Sequence, residues 1–319
     1  MGIKYLNKYL RSSCTDSIKK VHFGELQWKK IVVDISIYLY KFKGEGALME
    51  QIYLMINTFR YYNIVPIFVF DGKPPEEKRD VINQRKEKRK EAQINYDLLK
   101  EQLEITTSED EKVVLLSQME NEKRRSVKIT QNDIQQVKEL ILALGTTYYE
   151  AYGEADQVCA YLMNKKLVYG CLSEDMDMFV YGCNRVFRYL SLFHRTCVYY
   201  DLQSILKTLH LSFTEFREIC VLSGTDYNND STVEMNIYDI MKFHEKYKKQ
   251  NNISIPFYEW IQQNNKIKNT THIDDIIEMF NVNNICENES LQKLVIKNTA
   301  VNKVNVKNVM SNHNFIFVN

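Results

Sequence analysis

The sequence predicts an α/β fold: a mostly parallel central sheet flanked by helices, with a charged helical insertion and a helical C-terminal region. Three observations carry this. Two apolar runs, residues 30–34 (Lys-Ile-Val-Val-Asp) and 65–71 (Val-Pro-Ile-Phe-Val-Phe-Asp), each end in an acid and lead into a helical pattern, as strands of a parallel sheet do. A third apolar run, residues 167–172, reads as another buried strand and is followed by the pair Asp175/Asp177. Between these, residues 76–125 form two helical patterns charged nearly all round, so they bridge solvent or meet a partner and are not core.

Taken in order, residues 1–14 form an amphipathic segment with Ile3, Leu6 and Leu10 on one side. After the strand that ends at Asp34, Ser36 is placed to cap the next helix, which carries Tyr40. Residues 47–62 are helical by period, and the second strand ends at Asp71. Gly72 to Pro75 break the chain, and Pro75 suits a first helical turn, where its missing N–H is no loss. The first charged helix runs from Glu76 to about residue 103, and residues 85–90 are the densest positive cluster in the chain. A polar break over 106–111 precedes a second charged helix to about residue 125. Residues 130–144 are an amphipathic helix, and residues 146–149 a strand. Residues 186–190 and 196–200 look like an antiparallel pair, with helices near 202–209 and 213–222 after them. Beyond residue 250 the composition shifts toward Asn, Lys and Ile, with a helix expected over 274–280.

Composition bounds the function. The net charge of +1 over 319 residues advertises no polyanion partner overall, so a basic surface must be local. Seven scattered cysteines without a Cys-x-x-Cys favour reduced thiols inside a cell and argue against a zinc site. There is no secretory signal core and no apolar run long enough to span a bilayer, so no membrane partner is expected. There is also no Gly-rich phosphate loop, no Gly-x-Ser-x-Gly and no His-Glu-x-x-His. The six histidines are dispersed and read as surface or packing residues.

The organising stretch is residues 149–177. Glu154 and Asp156 open a helix after Gly153, and Asp175 and Asp177 follow a strand. Either pair alone reads as solvated loop acids. Together with Asp34, Asp71 and Asp226 they make seven acids at element ends, where open α/β sheets place their active sites. Acids so crowded need positive charge, and hard oxygen donors select Mg2+ or Mn2+. Seven exceed the needs of one ion and suit two, which activate a water and stabilise the leaving oxygen of a phosphodiester.

At this point the chain resembles the flap endonuclease family of structure-specific 5′ nucleases, within the wider XPG superfamily. The matching pieces occur in family order over roughly residues 1–230: the start Met-Gly-Ile-x-x-Leu; Val-Val-Asp34 with Tyr40; Val-Phe-Asp71-Gly-Lys-Pro-Pro; Glu154-Ala-Asp156; Ser-Glu-Asp175-Met-Asp177; and Leu-Ser-Gly-Thr-Asp226-Tyr. The resemblance implies a PIN-like, Rossmann-like core and a two-Mg2+ site built from Asp34, Asp71, Glu154, Asp156, Asp175, Asp177 and Asp226, with Mn2+ able to substitute. It implies that Lys78 and Arg85 reach the scissile phosphate. Their spacing of two helical turns places them on one face. It further implies that Tyr40 stacks on a base, that Gly2 lies beside the active site, and that residues 76–125 arch over the strand, with Lys88 and Arg89 on DNA. The expected substrate is DNA with a 5′ flap, nick or branch. The alternatives are a 5′→3′ exoribonuclease of the same fold and a non-catalytic nucleic-acid-binding scaffold.

The expected division is a nuclease core over residues 1–250 and a helical extension over 251–319. Within the core the parts are an N-terminal part to about 105, an arch over about 76–128 and an internal part over about 130–250. The chain departs from the family after Asp226. Residues 228–236 contain no glycine, whereas the family's helix-hairpin-helix turn presents backbone N–H groups to duplex phosphates through glycines. A degenerate hairpin and a weakened monovalent-cation site are expected. The C-terminus lacks the pattern by which such nucleases bind a sliding clamp. A monomer is expected, working in the nucleus or, for a viral protein, at a cytoplasmic replication site.

Overall fold

The computed structural model describes residues 2–227, 235–250, 255–264, 273–282, 289–313 and 315–317. A seven-stranded sheet forms the middle layer, in the order β1-β7-β6-β5-β2-β3-β4. Its strands are β1 (Ile18–His22), β2 (Lys30–Asp34), β3 (Val65–Phe70), β4 (Thr147–Glu150), β5 (Gly170–Leu172), β6 (Arg185–Ser191) and β7 (Thr196–Asp201). From β4 across to β6 every pairing is parallel, with Val33 opposite Phe68 on one side and Leu172 on the other. The edge β6-β7-β1 is antiparallel. Leaving β2, the chain builds β3 and β4 on one side and then crosses to place β5 on the other. The carboxyl ends of β2 and β5 therefore flank a topological switch point, where such sheets open a crevice.

Alternation along each strand divides the apolar residues between two cores. Val32, Ile67, Val69 and Cys171 face one core, which is shared with α1 (Leu6–Ser13), α7 (Ala155–Asn164) and α10 (Phe213–Leu222). Ile31, Val33, Phe68, Phe70 and Leu172 face the other, under α2 (Ser36–Gly44), α3 (Leu48–Tyr61) and α6 (Gln131–Ala143). Both faces are covered, so the parallel strands read as continuous apolar runs. The charged insertion is a hairpin of two long helices, α4 (Arg79–Ile105) and α5 (Glu109–Arg125), packed on each other. Ser108 caps α5, and acids crowd its first turn and bases its last, which suits the helix dipole.

The described residues after 250 are divided between the two cores. Trp260 and Ile276 join the first core, while α15 (Lys303–Ser311) lies on α6 and buries Val306 and Met310 in the second. The segment before α15 is laced to the α6–β4 turn, where Thr299 N donates to Gly145 O (2.7 Å). A Cβ on Gly145, at φ +68°, would stand 2.5 Å from the Thr299 carbonyl oxygen, so only glycine fits this close approach.

Three local expectations are corrected. Ser36 does not cap α2: Ile35 is the N-cap residue, and the Ser36 hydroxyl donates to Asp71 instead. The run 167–172 pairs as a strand only from Gly170, because Lys166 takes a left-handed conformation and the chain is still turning out of α7. The pair 186–190 and 196–200 has a third member, β1, whose Lys-rich, half-exposed pattern hides its strand character. The glycine-free stretch 228–236 lies outside the described residues except for Met235 and Asn236, the latter capping α11 (Ile237–Lys248). Among the described residues no helix is long and apolar enough to cross a membrane, and six cysteines are buried and unpaired.

Candidate active site

Each acid is delivered by an element end. Asp34 closes β2, Asp71 follows β3, Glu154 is the N-cap residue of α7 and Asp156 sits in that helix's first turn. Asp175 follows β5, Asp177 opens α8 (Asp177–Val180), and Asp226 follows α10. A net of short contacts ties them together. Asp34 accepts from Ser36 N (3.2 Å) and the Ser173 hydroxyl (2.9 Å). Asp71 accepts from the Ser36 hydroxyl and from Ala155 N (2.8 Å), so a strand-end carboxylate caps α7. Asp175 Oδ1 accepts from Asp177 N (3.0 Å).

Two cations stand inside this cluster. Lys78 is only 7% exposed; its ammonium lies 2.7 Å from Glu154 Oε1 and over the Tyr227 ring at 4.5 Å. Burial opposes its charge, but Asp156 and Glu154 outweigh that and raise its pKa. Arg85 Nη2 lies 2.6 Å from Asp226 Oδ2. The two reach neighbouring acids although Lys78 sits in a 3-10 turn just before α4 and not in the helix itself. Even so, burial pushes the Asp34 carboxyl up to about 7, with Asp71 and Asp175 adding repulsion. Burial, then neighbouring acids, also hold Asp156 and Asp177 well above the usual carboxylate range.

The residues fit a divalent-cation pair in donor chemistry. The acids offer only oxygen, which hard ions prefer, and Asp177 Oδ1 is buried without a hydrogen-bond partner. Among the described residues no three side chains already stand in ligating geometry; the acids lean instead on Lys78, Arg85, serine hydroxyls and backbone N–H groups.

Gly2 lies against the acids. A Cβ there would stand 2.3 Å from Asp175 Oδ1 and 2.4 Å from Asp177 Oδ1. From the acids a cleft of about 610 Å³ runs between α2 and the α4–α5 hairpin, lined by Tyr40, Lys78, Arg85, Lys88 and Arg89. The Arg89 guanidinium lies 5.3 Å from the Tyr40 ring centroid. Every residue singled out from the sequence is thus at the acids or along this cleft.

Four residues were missed. Ser173 bridges Asp34 and Asp175, donating to the first and accepting from the second's N–H. The Tyr227 hydroxyl donates to Glu154 (2.7 Å) while its ring carries Lys78. Their positions beside Asp175 and Asp226 in sequence were the only signal. Arg124 and Arg125, in the last turn of α5, also line the cleft; far in sequence from most acids of the site, they gave no signal at all. Glu174 points away and pairs with Arg188.

The XPG N-terminal domain matches residues 1–92 and the XPG I-region residues 145–226. A probable RAD2-like endonuclease, 369L of Invertebrate iridescent virus 6, is 28% identical over 353 residues, covering 92% of this chain and 83% of its own length. Flap endonuclease 1 of Chlamydomonas reinhardtii is 30% identical and that of Glycine max 32%; each match covers 71% of this chain. The matches take in 59% and 62% of those two relatives. Among solved structures, the catalytic core of Rad2 in complex with DNA substrate has a TM-score of 0.67 at 21% identity, over 98% of this chain and 95% of that one. Flap endonuclease-1 from Methanococcus jannaschii has a TM-score of 0.64 at 22% identity, over 93% and 91%. These structures share the fold, and the two XPG matches carry all seven acids with Lys78 and Arg85. The chain belongs to the XPG family of nucleases, as a divergent member.

Proposed function

We propose that this chain is a Mg2+-dependent, structure-specific 5′ nuclease that cleaves branched or nicked DNA, with flap endonuclease and 5′-exonuclease activity. The observation that carries this reading is the insertion of Lys78 and Arg85 among seven converging acids at the end of a basic cleft. Asp34, Asp71, Glu154, Asp156, Asp175, Asp177 and Asp226 would hold two Mg2+ ions, with Mn2+ able to replace them. When bound, the ions supply Lewis-acid stabilisation of phosphate charge and an activated water.

The chain's own residues supply the rest. Lys78 and Arg85 exchange their carboxylate partners for the arriving phosphate and stabilise charge that grows on it during cleavage. Tyr227 holds the Lys78 ammonium over its ring and Glu154 by its hydroxyl. Gly2 leaves the backbone room to approach beside Asp175 and Asp177. Tyr40 offers a ring to the base next to the cut, and Lys88 and Arg89 position the strand by its phosphates. The protein would act as a monomer inside the cell, at the nucleus or a cytoplasmic replication site. The test is cleavage of labelled 5′-flap, nicked, bubble and four-way DNA, with an RNA flap alongside. Cleavage near the flap base is expected; preference for the RNA flap would point to an exoribonuclease of the same fold.

A further inference from the structure

A strip of exposed rings lies away from the acids, where no contact of the active site reaches. Trp28 and Asn63 stand just before β2 and β3, at the ends of those strands opposite the carboxylates, and are joined by Trp28 N donating to Asn63 O (3.0 Å). Six residues of chain separate Trp28 from Asp34, roughly 20 Å at strand rise. Next to Asn63, Tyr62 packs edge-on against Tyr61 (5.0 Å) and His22 (5.2 Å). Its hydroxyl accepts from Arg195, which continues into Phe193 and His194 at the tip of the β6–β7 hairpin (4.9 Å apart).

The rings point outward. Trp28 is 72% exposed, Tyr61 74% and Phe193 89%. Trp28 also has φ +64°, and Asn63 and Arg195 are likewise left-handed. A bulky side chain at positive φ costs conformational energy, and such strain collects at functional positions. Here it holds an indole out in water, where it adds nothing to the core.

The charge around the strip is mainly positive. Lys29, Lys30 and Arg195 border it, and among the described residues none of them forms an ion pair. One acid stands nearby, Glu25, which accepts the His22 N–H (2.8 Å) and is outnumbered by these three cations. Exposed rings beside cations that no carboxylate neutralises, with Lys29 over the Tyr169 ring and Arg195 on the Tyr62 hydroxyl, are what a single strand of nucleic acid needs: π-faces for the bases and charge for the phosphates.

We propose that this strip is a second nucleic-acid site, which stacks the bases of a single strand on Trp28, Tyr61 and Phe193. It is separate from the cleft and does not depend on the nuclease reading.

The chain carries its own reporter. It has two tryptophans, and the other, Trp260, is 8% exposed, so quenching by a stacked base reads Trp28. Oligo(dT) and oligo(U) titrated into the full chain in EDTA should quench Trp28 and shield it from acrylamide; the two arms separate DNA from RNA. The salt slope should be about −2 for three cations. Tyr61→Ala and Phe193→Ala should each weaken this binding about fivefold or more while leaving flap cleavage in Mg2+ unchanged. Trp28→Gly should bind fewer strands per chain than wild type, read as stoichiometry by anisotropy of a labelled strand, and should fold at least as well, because glycine accepts the left-handed conformation.

Absence of Trp28 quenching at strand concentrations that saturate the cleft would overturn the proposal. So would quenching that follows protein concentration alone, which would mean that a second copy covers the strip. Quenching without any cleavage in Mg2+ would sink the nuclease reading and leave the strip standing.

Discussion

Replacing Asp34 with Asn should make the divalent-free protein more stable at pH 8. Asp34 is buried at the end of β2 beside Asp71 and Asp175, which lifts its carboxyl to about 7. A free aspartate titrates at about 3.9, and each pH unit of difference is worth about 1.4 kcal/mol. Because the folded value is the higher one, the group's full contribution is present below about pH 4 and is lost as pH rises through about 7. The gap amounts to about 4 kcal/mol against the folded state at pH 8, an upper bound because neighbouring acids relax together. The amide that replaces the carboxylate carries no charge and still offers an oxygen to Ser36 N and an N–H to the Ser173 hydroxyl. Thermal melts in EDTA should show Asp34→Asn above wild type by several degrees at pH 8, and no difference near pH 4. Saturating Mg2+ should narrow the gap by stabilising the wild type, by about 2.7 kcal/mol at a hundred times Kd. A variant equal to or below wild type at pH 8 in EDTA would refute the claim that burial and the neighbouring acids disfavour the Asp34 charge.

Further outcomes follow from the same contacts. Lys78→Ala and Arg85→Ala should each slow single-turnover cleavage by about 10²–10³ with little change in DNA affinity. Lys78→Ala should also destabilise the fold by about 3 kcal/mol, because Glu154 loses its buried partner, whereas half-exposed Arg85 should not; melts distinguish them. Gly2→Ala should cost about 10² in rate, since its methyl displaces Asp175 and Asp177, which rapid-quench kinetics will read. Neutralising Lys88 and Arg89 together should weaken flap binding and reduce the salt slope by about 2, measurable by anisotropy. Replacing K+ with Na+ at constant ionic strength should leave activity nearly unchanged, because residues 228–236 contain no glycine; a specific K+ requirement would refute that.

The parallel half of the sheet and its acids were legible because two signals coincide at each strand. A fully apolar run announces burial on both faces, and the acid that ends it cannot be core. The antiparallel edge was harder: β1 exposes Lys19, Lys20 and His22 and buries only Val21, so period alone could not find it. Ser36 shows how tertiary contact overrides local propensity, since the carboxylate that follows β3 takes the hydroxyl that a helix end would use. Arg124 and Arg125 were illegible for another reason. Nothing in a charged helix tells which turn will fold back over a cleft. Trp28 and Phe193 gave no pattern either, because single exposed rings become a strip only when three separate loops meet.

The most direct measurement of the central claim is ligation of the cleaved product. A 5′-flap DNA is incubated with the protein in Mg2+ and then with DNA ligase, with Asp177→Asn and EDTA as controls. Hydrolysis that leaves a 5′-phosphate at the flap base predicts a sealed full-length strand with wild type and Mg2+, and none in either control. Intact DNA, from wild-type protein that binds the flap in Mg2+ or Mn2+, would contradict the account.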